Sequence, residues 1–204
     1  MLDILKNKKL NIINATCPYV SNIQLKAKKY FDLAYSIIIV GDSNHPEVEG
    51  INGWCNNSAI ISKNGSELNE LPSKVCVLSQ TTEKQENWEK VLNIIISKCK
   101  EIVAFNTICS ATEIRQLSAE KISNNVDLMI VIGGRNSSNT TKLYEICKKN
   151  CINTIHVENL LEIPTNMLKS RTYKNIGITA GASTPDWVIK ETLTAFEEKM
   201  KSKF

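Results

Sequence analysis

Two cysteines occupy matching places in this sequence and could bind one metal centre together. Cys17 ends the run Asn-Ala-Thr-Cys, Cys109 ends the run Asn-Thr-Ile-Cys, and the two lie 92 positions apart. Each follows a short extended run and precedes an amphipathic stretch, so each thiol is predicted to lie at a helix N-terminus. Free N–H groups and the helix dipole favour a thiolate there, which suits a metal ligand.

Two thiolates do not complete a metal site. Zinc takes four protein ligands in a structural site and three in a catalytic one, and an iron-sulfur cluster normally takes three or four thiolates. At least one ligand is therefore missing, and the pairing of Cys17 with Cys109 suggests that a third copy of the same unit, outside this chain, would supply it.

A second candidate is the triplet His45-Pro46-Glu47, which follows an apolar run. One of only two histidines in the chain stands two residues from a carboxylate. An imidazole can hold a phosphate or hydroxyl group while a carboxylic acid relays a proton. The alternative is a turn with an incidental histidine and a surface glutamate, and the triplet alone does not decide between them. The other histidine, His156, lies in an apolar run and is interpreted as a satisfied core residue.

A third candidate is the donor-rich stretch that runs from Gly133 to Thr140. Its glycines allow close backbone approach, and Ser137, Ser138 and Asn139 supply neutral donors at a predicted helix start, as in an anion site. An ordinary Ser/Asn helix cap explains the same residues. The segment around Ser183 has the same two interpretations, a binding site or an ordinary helix start. A cap residue two positions before a proline is a normal way for a helix to begin.

The segment from Thr82 to Gln85 fits a capping box and is interpreted as a plain helix start. The five other cysteines are interpreted as small buried or half-buried residues. They are Cys55, Cys76, Cys99, Cys147 and Cys151.

Composition excludes several classes of protein. The net charge of +4 is mild and the lysines are scattered, which indicates solvated helix faces and no nucleic-acid partner. The apolar runs are too short to span a bilayer, and the N-terminus does not have the charged-then-apolar pattern of a leader. Seven cysteines, an odd number, favour reduced thiols. We therefore expect a cytoplasmic protein with no membrane partner.

The elements that must position these residues alternate between short β-branched runs and longer helical patterns. Strands are predicted at 10–14, 36–40, 59–62, 74–78, 102–104, 128–132, 154–157 and 175–179. Helices are predicted at 17–31, 46–53, 83–97, 111–123, 138–149 and 185–200. This alternation predicts parallel sheets covered by helices. Together with the repeat, this alternation predicts two small pseudo-repeated α/β domains, 1–102 and 103–204. We expect their site to lie at the carboxyl ends of the strands.

Six ordered segments resemble one enzyme family, 4-hydroxy-3-methylbut-2-enyl diphosphate reductase, the last enzyme of the methylerythritol phosphate route in isoprene biosynthesis. They are NATCPYV (14–20), HPEVEG (45–50), SQTT (79–82), TICSAT (107–112), NSSNT (136–140) and TAGASTP (179–185). The resemblance covers nearly the whole chain. It implies a trefoil of three α/β domains around a [4Fe-4S] cluster, with one cysteine ligand per domain and the family's first domain absent from this chain.

The resemblance also implies roles for individual residues. Cys17 and Cys109 fall on the second and third cluster ligands, and Glu47 falls on the acid that supplies a proton as the allylic C–O bond breaks. Thr81 falls on a threonine that orders the substrate hydroxyl and the proton relay. The remaining residues fall on the diphosphate-binding groups, namely His45, Ser137, Ser138, Asn139 and Ser183.

The implied activity is an iron-sulfur oxidoreductase reaction that removes the hydroxyl and gives isopentenyl and dimethylallyl diphosphates. The implied partners are the small allylic diphosphate and a ferredoxin or flavodoxin as electron donor. A non-catalytic α/β module that binds diphosphate but holds no cluster is the alternative, because the chain has only two of the three cluster cysteines.

Overall fold

The chain forms two parallel β-sheets flanked by helices, as described by a computed structural model for residues 13–164 and 173–201. The strands are β1 Ser36–Val40, β2 Ile60–Ser62, β3 Lys74–Ser79, β4 Glu101–Ala104, β5 Leu128–Ile132, β6 Thr154–Val157 and β7 Ile176–Ala180. The helices are α1 Pro18–Asp32, α2 Pro46–Gly53, α3 Gln85–Lys98, α4 Ser110–Ser123, α5 Ser138–Asn150 and α6 Asp186–Lys201, with a short 3₁₀ helix at Leu160–Glu162. The predicted α/β class is confirmed.

The first sheet has the order β2-β1-β3-β4 and the second has the order β6-β5-β7, and every described pairing is parallel. The central strands β1 and β5 are almost entirely apolar, with Ser36 the one polar residue, because helices cover both faces. Ile37 and Ile39 pack toward α1 and α2, whereas Ile38 and Val40 pack toward α3. Because side chains alternate between the two faces of a strand, neighbouring residues of β1 pack against helices on opposite faces of the sheet.

The sequence repeat reappears in the topology. The order β2-β1-β3 of the first sheet matches β6-β5-β7 of the second. Helices α1 and α4 begin at Pro18 and Ser110, and α2 and α5 begin at Pro46 and Ser138, so each pair starts 92 residues apart. Equivalent loops therefore follow equivalent strands in the two sheets.

Strand β4 belongs to the first sheet, where it pairs with β3 from Lys74 to Val77. The predicted division between residues 102 and 103 falls within this strand, and the division stays a prediction. The strand predicted at 10–14 lies outside the described residues at positions 10–12, and Ile13 and Asn14 are not in a strand.

In the described ranges 13–164 and 173–201, no helix combines the length and the apolar character needed to cross a membrane.

Candidate functional site

The loop after β1 orients the ring of His45. His45 is the N-cap of α2, and its Nδ1 accepts a hydrogen bond from the backbone N–H of Glu47 at 3.2 Å. Pro46 stands at the first helical position, where its missing N–H has no consequence. Because Nδ1 acts as an acceptor, the ring proton of the neutral imidazole resides on Nε2, which becomes the donor for a ligand.

The carboxylate of Glu47 is joined to Thr81 by two short hydrogen bonds. The backbone N–H of Thr81 donates to Glu47 Oε1, and the Thr81 hydroxyl donates to Oε2, each at 2.6 Å. These bonds span two strand ends, because Glu47 follows β1 and Thr81 follows the neighbouring strand β3. One hydrogen bond to each carboxyl oxygen holds the side chain of Glu47 in one orientation.

Cys109 joins the same group of residues through its backbone. Its N–H donates to the carbonyl oxygen of Thr81 at 2.9 Å, and the residue is half-buried at the N-cap of α4. Thr107 fixes the loop before it, because its hydroxyl donates to the carbonyl of Ser79 at 2.6 Å. The structure therefore brings Glu47, Thr81 and Cys109 together.

Cys17 occupies the equivalent place in the first copy. It is the exposed N-cap of α1, with φ −52° and ψ 132°, close to the φ −67° and ψ 131° of Cys109. Asn14 and Asn106 each accept a hydrogen bond from the backbone N–H two residues on, in front of the two cysteines. The prediction that both cysteines lie at helix N-termini is confirmed, and their role as ligands stays a prediction.

These residues do not by themselves complete a cluster site. Within residues 13–164 and 173–201, no group of three or more His, Cys, Asp and Glu side chains is placed to hold a metal ion. Cys17 and Cys109 offer two thiolates, which is fewer than the three or four that an iron-sulfur cluster normally takes.

The N-terminus of α5 has the geometry of an anion site. Ser137 is its N-cap, and the hydroxyl of Ser137 accepts from the N–H of Thr140 at 3.4 Å. Asn139 is only 7% exposed, and neither its Oδ1 nor its Nδ2 has a hydrogen-bond partner. A buried amide without partners is costly, so it indicates a ligand or water that satisfies it. The first N–H groups of a helix also lack intrahelical partners.

Glycines at two strand ends let the backbone pack closely behind this site. A Cβ on Gly133, which has φ +143°, would lie 2.6 Å from the Thr184 hydroxyl oxygen, and one on Gly181 would lie 2.1 Å from that of Thr140. Ser183 is exposed in the loop after β7, next to Thr184. Both loops lie at the carboxyl ends of neighbouring strands, as predicted.

The capping box predicted at Thr82 is wrong. Helix α3 begins at Gln85, its N-cap is Lys84, and no side chain caps it. The Thr82 hydroxyl instead lies 3.1 Å from the hydroxyl of Ser138, across the gap between the two sheets. Local helix-capping preferences could not predict this contact, because Ser138 stands 56 residues after Thr82 in the chain.

The structure agrees with the structural interpretations of His156 and of the remaining cysteines. His156 Nε2 lies 2.8 Å from the carbonyl oxygen of Gly133, so its ring is satisfied within the fold. Of the five cysteines other than Cys17 and Cys109, four are buried and Cys99 is intermediate. Burial raises the pKa of Cys76 to about 12 and that of Cys147 to about 11, so neither thiol ionises near neutral pH.

Three residues at the site were missed from the sequence. Gln80 is fully buried, accepts from the N–H of Asp42 and donates to Ser138 at 3.2 Å. Glu83 and Lys142 form a buried ion pair at 2.9 Å. In the sequence, the only signal is that Glu83 and Lys142 stand close to predicted site residues. Charged residues at such positions are common on solvated surfaces, so the signal is weak.

The comparison with protein families gives one match over nearly the whole chain. The family described as LytB protein matches residues 1–197.

Curated relatives carry the same enzyme name. A Clostridium tetani protein named 4-hydroxy-3-methylbut-2-enyl diphosphate reductase is 65% identical over 96% of this chain, which spans only 30% of that protein's length. A Clostridium perfringens protein of the same name is 61% identical over 95% of this chain and 69% of its own length. The relatives therefore extend well beyond the matched stretch.

Solved structures also resemble the chain. A structure described as (E)-4-hydroxy-3-methyl-but-2-enyl diphosphate reductase is 38% identical, with a TM-score of 0.60 over 97% of this chain and 71% of its own. A reductase from Plasmodium falciparum is 28% identical, with a TM-score of 0.87 over 95% of this chain and 62% of its own.

Proposed function

The chain belongs to the LytB protein family, and from this membership we propose that it works as part of a 4-hydroxy-3-methylbut-2-enyl diphosphate reductase. The reaction removes the allylic hydroxyl of the substrate as water and gives isopentenyl and dimethylallyl diphosphates. It consumes two electrons and two protons, one proton for the leaving hydroxyl and one for the carbon skeleton, and a ferredoxin or flavodoxin is the proposed electron donor. Seven cysteines without a described disulfide suit a reducing, cytoplasmic setting.

The structural observation that carries the diphosphate-binding part of this proposal is the unpaired buried amide of Asn139 at the start of α5. A diphosphate oxygen at this helix N-terminus would accept from Asn139 Nδ2 and from the free backbone N–H groups. Ser137, Ser138 and the Nε2 of His45 add further donors, and Ser183 is the proposed donor from the loop after β7. These donors are neutral, so they attract the anion without requiring a buried charge.

Glu47 is the proposed proton donor. Its carboxyl group is held by Thr81 at one strand end, and the backbone of Cys109 is held by the same threonine. A proton on either oxygen of Glu47 would thus be presented at a fixed place beside the candidate metal ligand. The Thr81 hydroxyl can pass a proton to or from Glu47, because it already donates to Oε2.

Cys17 and Cys109 are the proposed ligands of a [4Fe-4S] cluster, with a further ligand from outside the described residues. When bound, such a cluster supplies electrons and a Lewis-acidic iron for the substrate hydroxyl. The matched N-cap geometry of the two cysteines supports this assignment.

Iron and sulfide analysis after anaerobic reconstitution tests the proposal. We expect a complete reductase that contains these residues to bind four irons per chain, and Cys17→Ser or Cys109→Ser to lower the iron content sharply. Cys99→Ser is the matched control, because Cys99 lies away from both helix N-caps. A complete protein that binds no iron would refute the reductase assignment.

A second candidate function is diphosphate binding without catalysis by this chain alone. It is favoured by the absence of any group of three metal ligands in the described part of the chain. Calorimetry with inorganic pyrophosphate tests it. No heat at millimolar ligand would remove the binding assignment, whereas binding without iron uptake would support this candidate over the reductase.

A further inference from the structure

A buried ion pair joins the two sheets beside the candidate site. Lys142 Nζ lies 2.9 Å from Glu83 Oε2, and the two side chains are 4% and 0% exposed. Glu83 belongs to the loop after β3, whereas Lys142 belongs to α5. The pair therefore connects the first sheet's loop to a helix that packs on the second sheet.

The glutamate is held from several sides. Its Oε1 accepts from Asn87 Nδ2 at 3.0 Å and from the N–H of Lys84 at 2.8 Å, and its carbonyl oxygen accepts from Gln116 Nε2 at 3.3 Å. Burial lowers the pKa of Lys142, and the charge of Glu83 opposes that shift. Removing two charges from water is expensive, so a pair this well satisfied is better explained by a requirement for one geometry than by stability.

The position of the pair indicates that the required geometry is the placement of the loop after β3 relative to the start of α5. Glu83 lies two residues after Thr81, and Lys142 lies three residues after Asn139, one helical turn along α5. Ser138, the residue before Asn139, receives a hydrogen bond from Gln80 and lies within hydrogen-bonding distance of Thr82. The loop from 80 to 84 thus contacts Glu47 on one side and the start of α5 on the other.

We propose that Glu83 and Lys142 are positioning residues that hold Ser138 and Asn139 in register with Glu47 and Thr81. This rests on the proposed function, in which the start of α5 binds the substrate diphosphate and Glu47 supplies the proton. The ion pair sets how far the anion-binding donors lie from the proton donor, although both of its own side chains are buried.

The chain offers a matched control in a second ion pair, which joins α3 to α5. Lys149 Nζ of α5 lies 3.5 Å from Glu86 Oε2 of α3, and these side chains are 72% and 51% exposed. Exposed pairs contribute little because solvent screens them. Lys149→Met should therefore change neither the geometry nor the binding.

The test compares Lys142→Met, the double variant Glu83→Leu with Lys142→Met, and Lys149→Met. The single variant leaves a buried charge without its partner and should lower the melting temperature markedly, whereas the double variant should recover most of that loss. If the pair positions the site, the double variant still binds inorganic pyrophosphate roughly tenfold to a hundredfold more weakly in calorimetry. A double variant with unchanged pyrophosphate affinity would overturn the proposal.

Residual dipolar couplings of the two sheets provide a readout that needs no ligand. We expect the orientation of β1 and β3 relative to β5 and β6 to change in the double variant and to stay fixed in Lys149→Met. If the unsubstituted chain does not bind pyrophosphate, the anion site of the proposed function fails, and these couplings alone decide on positioning. An unchanged orientation in the double variant would then refute it.

Discussion

At the residue scale, the shared contacts of Thr81 explain how groups distant in sequence can act together. Its N–H and hydroxyl bind Glu47, and its carbonyl accepts from the N–H of Cys109. One threonine at a strand end thus links the candidate proton donor with the loop of a candidate metal ligand. None of these contacts could be read from the spacing of the three residues.

Replacing Glu47 with Gln tests the proton donor. In a complete reductase that contains these residues, we expect turnover to fall by a factor on the order of 10² to 10⁴, because an amide cannot supply the proton. Cluster content and substrate binding should change little, since Gln keeps the shape of the side chain. Glu49→Gln is the control, because Glu49 is an exposed carboxylate on the same helix. Turnover close to normal in Glu47→Gln would show that the proton has another source.

Alkylation with iodoacetamide tests the different surroundings of the seven thiols. We expect Cys17, which is exposed, to react first and the half-buried Cys109 to follow. Cys76 and Cys147 should resist at pH 8, because they are buried and burial raises the pKa of each thiol. Mass spectrometry of the digested protein gives the order, and urea-unfolded chain, in which all thiols react, is the control. Equal rates for Cys17 and Cys76 would contradict the described burial.

At the element scale, the two copies use the same strand-loop-helix unit for different chemistry. His45 and Ser137 are N-caps at matching places, and so Glu47 and Asn139 both fall at the second helical position. The first copy thus presents a carboxylate and the second an amide at equivalent points. A helix N-terminus accepts either group, because its free N–H groups and dipole favour acceptors and anions.

Two adjacent glycines after β5 test how closely this loop is packed. Gly133→Ala should lower the free energy of unfolding by about 1 to 3 kcal/mol, because the new Cβ would meet the hydroxyls of Thr184 and Thr140 and the φ of +143° disfavours alanine. Gly134→Ala is the matched control, because the nearest atom to its Cβ would be 3.9 Å away, and it should change stability by no more than about 0.5 kcal/mol. Urea unfolding measures both. Equal stability of the two variants would mean that the loop relaxes freely.

At the scale of the whole molecule, contacts between the copies concentrate at the candidate site. Ser138 lies against Gln80 and Thr82, and Lys142 pairs with Glu83. Strand β4 matches sequence positions 9–12 under the 92-residue shift, yet it pairs with the first sheet. The second copy therefore begins inside the first, which ties the loop of Cys109 to the end of β3.

A prediction at this scale concerns the separation of the two candidate ligand sulfurs. In protein reconstituted with a cluster, we expect Cys17 Sγ and Cys109 Sγ to lie within roughly 6 to 7 Å of each other, because both would bind one cluster. A crystal structure of the anaerobically reconstituted protein measures this distance. Sulfurs on opposite outer surfaces would rule out a shared site.

The sequence determined the α/β class, most element positions and the residues with chemistry. The alternation of apolar runs predicted β1, β5 and α2 with their observed bounds, because period and length are local properties. The 92-residue repeat predicted that both cysteines lie at helix N-caps, because each follows a short extended run and precedes an amphipathic stretch.

The tertiary structure alone decided which of these residues meet. It replaced the capping role of Thr82 with a contact to Ser138, paired β4 with the first sheet, and buried Glu83 against Lys142. Each of these contacts joins parts of the chain far apart in sequence or assigns a strand to one of two sheets. A local pattern cannot encode such a choice, because it depends on which surfaces are brought together when the two sheets pack.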